Sequence, residues 1–81
     1  MTREEVFVQL NGVFRDVFDN VDIVVTDKTT ASDIEGWDSL MHISLISAVE
    51  DEFDIKFSMK EVVNMENVGE MADIIVRELE G

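Results

Sequence analysis

The sequence predicts an all-α domain, a small four-helix bundle with a long first loop and a short third helix. Apolar residues recur at helical spacing in successive segments, and residues that cap helices stand in front of them. The brief apolar run at 21–25 has no partner strand elsewhere in the sequence. Because the chain has 81 residues, we expect one domain spanning residues 1–81.

The first helix is predicted to begin after Thr2 and to end near Asp19 and Asn20. Thr2 followed by Glu5 is a capping-box pattern, in which side chain and backbone cap each other. The positions at helical spacing that we expect to face the core are Val6, Leu10, Val13, Phe14 and Val17.

The helical periodicity then fails as far as Asp38. We expect this segment to be a loop held against the helices by Ile23, Val25 and Ile34. A loop of about 20 residues is unusual in a compact domain and usually has a functional reason.

Three further helices are predicted after this loop. Asp38 caps the second, Ser58 and Glu61 form a capping box for a short third, and Asn67 opens the fourth. The expected buried positions of the second helix are Leu40, Ile43, Ile46, Val49 and Phe53. Those of the fourth helix are Met71, Ile74, Ile75 and Leu79.

The composition excludes several classes of function. The net charge of −13 disfavours binding to nucleic acid or to anionic membranes and favours partners with basic patches. The absence of cysteine removes disulfides, thiolate zinc sites and a cysteine nucleophile. No spacing typical of a calcium-binding loop occurs, so no metal site is expected. With no apolar run of membrane-spanning length and no secretory signal, we expect a cytoplasmic protein.

The segment around Ser39 is the candidate functional site. Gly36 allows the backbone to adopt a turn, and Asp38 can cap the second helix. Ser39 then falls on the first turn of that helix, where we expect its hydroxyl to be accessible. The amides and the dipole of a helix start favour an anion, so a phosphodiester would be stabilised there. Asp-Ser before an apolar run is also a common helix start, and these residues alone leave the role open. His42 lies one turn later, but an exposed turn provides no oxyanion hole, so no catalytic triad is expected.

The wider sequence resembles the acyl carrier protein family. The resemblance rests on Gly36-Trp37-Asp38-Ser39-Leu40, on the second helix through Ala48–Phe57, and on Val68–Ile75 as the last helix. It covers nearly the whole chain, including the order of helix, long loop, helix, short helix and helix.

The resemblance implies a carrier rather than an enzyme, without catalytic residues. Ser39, within the motif formed with Asp38 and Leu40, would receive 4′-phosphopantetheine from coenzyme A through a separate phosphopantetheinyl transferase. The terminal thiol of this arm would hold acyl groups as thioesters. The implied partners are acyltransferases, ligases or synthases with basic docking patches, and we expect the carrier itself to be a monomer.

The resemblance also indicates where partners dock, namely along the second helix at Met41, Glu50, Asp51 and Glu52. Family members that serve fatty-acid synthesis usually have acids two and five positions after the serine. Here these positions are Met41 and Ser44. This difference favours a dedicated pathway, such as polyketide, lipopeptide or modified-glycan synthesis, over housekeeping fatty-acid synthesis.

Two alternatives remain open from the sequence. A peptidyl or aminoacyl carrier protein would share the fold and the serine. A non-carrier acidic interaction module would share the charge but would need no modified serine.

Overall fold

The computed structural model describes residues 1–80, which form four α-helices and one 3₁₀ turn and contain no strand. The helices are α1 (Arg3–Val17), α2 (Ser39–Phe53), α3 (Met59–Asn64) and α4 (Val68–Glu80), and the 3₁₀ turn is Ala31–Asp33. The predicted fold class is confirmed, including the short third helix.

The core lies between α1, α2 and α4. Its largest fully buried side chains are Phe14, Leu10, Leu45, Met71 and Ile75. Of the five predicted inner positions of α1, Val6, Leu10, Val13 and Phe14 are buried, whereas Val17 is half-buried and packs against the core. Burial of such side chains stabilises each by about 1.5–3 kcal/mol relative to exposure, which makes this stripe the main source of cohesion.

The predicted capping box fixes the start of α1. Glu5 N donates to Thr2 Oγ1 at 3.2 Å, and Thr2 N donates to Glu5 Oε1 at 2.9 Å. The hydrogen bond from the Thr2 backbone, followed by the one from its side chain, lowers the pKa of Glu5. The charged form of Glu5 therefore supports this helix end.

The long loop is fastened to α1 by side chains that bond its backbone. Val25 N donates to Asn11 Oδ1 at 2.7 Å, and Arg15 Nε donates to the carbonyl of Ile23 at 2.7 Å. Ile23, Val25 and Ile34 are buried as predicted. These hydrogen bonds satisfy the backbone N–H of Val25 and the carbonyl of Ile23, which would otherwise lose their contact with water when the two side chains are buried.

The same loop is also joined to the start of α4. Val68 N donates to Thr29 O at 2.9 Å, and Gly69 N donates to Asp27 O at 3.1 Å. Arg3 forms ion pairs with Asp27 and Asp73, which raise the pKa of its guanidinium. One arginine thus connects α1, the loop and α4.

The predicted buried face of α2 is partly wrong. Leu40 is 77% exposed and Ile43 is 57% exposed, whereas Leu45, Ile46, Val49 and Phe53 are buried. Leu40 lies nine residues before Val49, about two and a half helical turns, and so on the opposite side. The first turns of α2 therefore present apolar side chains to solvent.

α3 is the least buried helix, since none of its six residues is buried. It begins with the predicted capping box, in which Glu61 N donates to Ser58 Oγ and Ser58 N donates to Glu61 Oε1. Glu61 also pairs with Arg77 of α4. The Ser58 backbone bond, and then Arg77, lower the pKa of Glu61.

α4 turns a narrower face to the core than the sequence predicted. Met71 and Ile75 are buried together with Val68 and Ala72, but Ile74 is half-buried and Leu79 is 38% exposed. Asn67 opens the helix as expected, because Glu70 N donates to its Oδ1 at 2.8 Å. Within residues 1–80, no helix combines the length and the apolar character needed to cross a membrane.

Candidate functional site at the head of α2

A tight turn delivers the chain to α2. Gly36 has a φ of +89°, which a side-chain-bearing residue rarely adopts, and Asp38 N donates to its carbonyl at 3.1 Å. Trp37 N donates to the carbonyl of Ile34, whose side chain is buried. The buried Ile34 therefore positions the turn, and Gly36 allows its conformation.

Ser39 is the first residue of α2, and its side chain is exposed. The carboxylate of Asp38 caps the helix by accepting from Met41 N at 2.8 Å. The amides of Ser39 and Leu40 belong to the first turn, where a helix leaves N–H groups without intrahelical partners. A negatively charged group on the Ser39 hydroxyl would lie next to these donors and the positive end of the helix.

An apolar groove of about 490 Å³ opens beside Ser39. It lies between the loop that precedes α2, the first turns of α2, and α3. Its walls include Trp37, His42, Ile43, Met59 and Val62. The groove thus starts at the candidate serine and is lined mainly by carbon atoms.

His42 is held inside this wall by hydrogen bonds at both of its ring nitrogens. Trp37 Nε1 donates to His42 Nδ1 at 3.0 Å, and His42 Nε2 lies 3.2 Å from the carbonyl of Val62. Both ring nitrogens are therefore engaged, and Asp38 is engaged with Met41. The ring of His42 is half-buried between the loop before α2 and α3.

Trp37 packs onto the core. Its ring meets Phe14 edge-on with centroids 5.3 Å apart and lies 6.0 Å from Phe18. Such aromatic pairs stabilise a fold beyond the area that they bury. The residue preceding the Asp-Ser pair thereby ties the site to the bundle.

The exposed apolar side chains near Ser39 form a surface that sequence reasoning missed. They come from the start of α2 and from α3: Leu40, Ile43, Met59 and Val63, each between 57% and 77% exposed. The sequence contains a sign of this exposure only for Leu40, because its helical position lies on the side of α2 opposite Val49. Exposed apolar clusters of this kind are typical of interaction sites.

The predicted docking acids differ in availability. The carboxylate of Glu50 accepts from Phe57 N at 2.8 Å, so it closes the turn after α2. Asp51 and Glu52 are exposed, and Met41 is half-buried. Two methionines, Met59 and Met65, line the groove, whereas Met71 is buried in the core.

The fold and the site together define a small helical domain that presents a serine at the head of its second helix. The family model for the phosphopantetheine attachment site matches residues 9–75. The chain belongs to this family and is a carrier domain of the acyl carrier protein type.

A solved structure supports the same conclusion. The solution NMR structure of a holo acyl carrier protein from Geobacter metallireducens is similar to this chain with a TM-score of 0.87 and 41% identity. The match covers 93% of this chain and 86% of that one. No curated protein sequence matches the chain significantly.

Family membership establishes the cofactor and the mode of action. Acyl carrier proteins are not enzymes, and they carry 4′-phosphopantetheine covalently. They interact with a phosphopantetheinyl transferase and with acyl-handling enzymes. The residues present fit this cofactor, because an accessible hydroxyl stands at a helix start that favours a phosphate.

Proposed function

We propose that Ser39 is the attachment serine and that residues 1–81 act as one domain that carries acyl groups between enzymes. The observation that supports this most directly is the exposed Ser39 on the first turn of α2, next to the apolar groove. The net charge of −13 and the absence of cysteine favour a monomeric, cytoplasmic carrier with basic partners.

The attachment is a phosphoryl transfer from coenzyme A. The Ser39 hydroxyl forms a bond to the phosphorus next to pantetheine, and the adenosine bisphosphate half leaves. The hydroxyl proton passes to a base of the transferase, since His42 and Asp38 are engaged elsewhere. This chain contributes the accessible hydroxyl and the amides of the helix start.

A tethered thiol explains why the carrier itself needs no catalytic residue. The arm restricts the acyl group to a small volume around the docked partner, which raises its effective concentration there. Orientation at the partner's active site then lowers the entropic cost of the reaction.

Intact mass measurement tests the attachment site. After incubation with a promiscuous transferase and coenzyme A, the wild type should gain one phosphopantetheinyl group. Ser39→Ala should gain none and should remain helical. The matched control is Ser47→Ala, another exposed serine of α2, which should be modified like the wild type. Modification of Ser39→Ala would show that the site is elsewhere.

We further propose that the carrier serves a dedicated pathway rather than housekeeping fatty-acid synthesis. Met41 and Ser44 stand where carriers of fatty-acid synthesis usually have acids. The exposed apolar surface formed by Leu40, Ile43, Met59 and Val63 extends this uncharged character around Ser39. A partner that reads acids at those two positions should dock poorly, because rim charges mainly set the rate of association.

Loading by the malonyl transferase of a fatty acid synthase tests the pathway. The holo wild type should be a poor acceptor, and Met41→Asp/Ser44→Glu should be loaded faster. The control Val8→Asp/Gly12→Glu adds the same charge on the exposed side of α1 and should give no gain. Loading of the wild type at the rate of a housekeeping carrier would contradict the dedicated pathway and leave the carrier function intact.

A further inference from the structure

The two partners of His42 define the protonation state of its ring. An indole Nε1–H only donates, so His42 Nδ1, at 3.0 Å from it, is an acceptor without a proton. The carbonyl of Val62 only accepts, so Nε2, at 3.2 Å, carries the proton and donates. Both bonds exist together only in the neutral ring with its proton on Nε2.

These bonds connect three segments that surround the groove. Trp37 belongs to the loop before α2, His42 to α2 and Val62 to α3, and all three line the groove beside Ser39. Trp37 is anchored by Phe14, which is fully buried. A single imidazole therefore links the loop wall of the groove to α3.

This link matters because α3 has few other attachments. None of its residues is fully buried, Val62 alone packs against the core as a partly buried side chain, and its ion pair between Glu61 and Arg77 lies at the surface. Exposed ion pairs contribute little to stability. Weakly held elements open locally at low cost, so we expect the position of α3 to be sensitive to the loss of one hydrogen bond.

We propose that His42 is a positioning residue whose neutral ring latches Trp37 to α2 and α3, and that a proton on Nδ1 releases the latch. The imidazolium has two donors and no acceptor, so the Trp37 N–H loses its partner while the bond to Val62 persists. Histidine is the side chain suited to change charge near physiological pH. The groove then widens on its loop side. Its use for cargo rests on the proposed attachment at Ser39, whereas the latch does not.

Other titratable groups near the groove have to be separated from His42. Asp38, whose carboxylate caps α2, and Glu66, which follows α3, line the same groove. Glu61 of α3 is directed to Arg77, and the aromatic neighbours Phe14 and Phe18 carry no charge.

The test is an NMR titration of the unmodified, ¹⁵N-labelled chain between about pH 5 and pH 8. At the upper end, the ring-nitrogen shifts of His42 should show the proton on Nε2. Exchange of the Trp37 indole proton with water, corrected for its intrinsic pH dependence, should rise about fivefold as His42 is protonated. The chain has one tryptophan, so the signal is unambiguous.

Variants assign the effect to the latch. His42→Phe keeps a ring but no acceptor, so indole exchange should be fast and should show no step with pH. Asp38→Asn and Glu66→Gln should keep the step, because both variants retain the acceptor on His42. A neutral ring with its proton on Nδ1, or wild-type indole exchange without a step at the His42 midpoint, would overturn the proposal. Both readings come from the wild type, so they hold even if a variant fails to fold.

Discussion

Gly69 shows how one residue holds the long loop in place. A Cβ at this position would lie 2.7 Å from the carbonyl oxygen of Asp27, a backbone atom that cannot give way cheaply. The same glycine donates its own N–H to that carbonyl. The loop and α4 approach closely because no side chain stands between them.

We therefore expect Gly69→Ala to lower the free energy of unfolding by about 1–3 kcal/mol, as overpacking does. Gly12 is the matched control, since a Cβ there meets nothing within 4 Å and the residue lies inside α1. Gly12→Ala should raise stability by about 0.5–1 kcal/mol. Urea denaturation of both variants measures the difference, and equal effects would argue against the close contact.

At the scale of single residues, the sequence predicts those features that depend on residues close by in the chain. Asp38 as a cap and Ser39 on the first turn follow from local pattern. The partners of His42 do not, because Val62 is 20 residues away and the contact depends on how α3 packs. Gly69 likewise gives no local sign of its contact with Asp27.

The N-terminal cap of α2 is the element-scale feature that places the candidate serine. Asp38→Ala removes the acceptor for Met41 N and should cost about 0.5–2 kcal/mol, whereas Asp38→Asn should retain most of the cap. Thermal unfolding of the two variants checks this. A loss of equal size in both would mean that the carboxylate charge, rather than the cap, is what matters.

The start of α3 should weaken in acid. The folded pKa of Glu61 is lowered by the Ser58 backbone bond and by Arg77, so the charged form stabilises the folded state. This contribution is present above the unfolded pKa and is lost as pH falls through the lowered folded value.

Local amide exchange of α3 between neutral pH and about pH 3 tests this expectation. The wild type should lose protection in α3 on acidification, after correction for intrinsic exchange. Glu61→Gln should be less protected at neutral pH and should lose less in acid. Glu52→Gln, an exposed acid on α2, serves as control and should follow the wild type. An identical acid profile in Glu61→Gln would contradict the role of Glu61.

The faces of the helices were less predictable than their existence. Capping boxes and apolar spacing located the four helices, since both are local signals. The exposure of Leu40 and Ile43 depends on packing, because α2 packs against α1, the buried residues of α2 all lie in its later turns, and its first turns stay open. Apolar residues kept in solvent for a partner look like core residues in a sequence.

At the scale of the whole molecule, the net charge of −13 on 81 residues opposes compaction. We expect the melting temperature at neutral pH to rise with ionic strength, because salt screens the repulsion between exposed acids. Asp51→Asn/Glu52→Gln removes two exposed charges and should show a weaker salt dependence. A melting temperature that does not change with salt would contradict this account.

The central claim, that Ser39 bears the arm, is tested most directly by locating the modification within the chain. After transfer from coenzyme A, trypsin should cut at Lys28 and Lys56 and release residues 29–56, which contain Ser32, Ser39, Ser44 and Ser47. Tandem mass spectrometry of this peptide should place the whole added mass on Ser39, with the other three serines unmodified. Added mass on another serine, or an unmodified peptide from a transferase that modifies a reference carrier, would contradict the account.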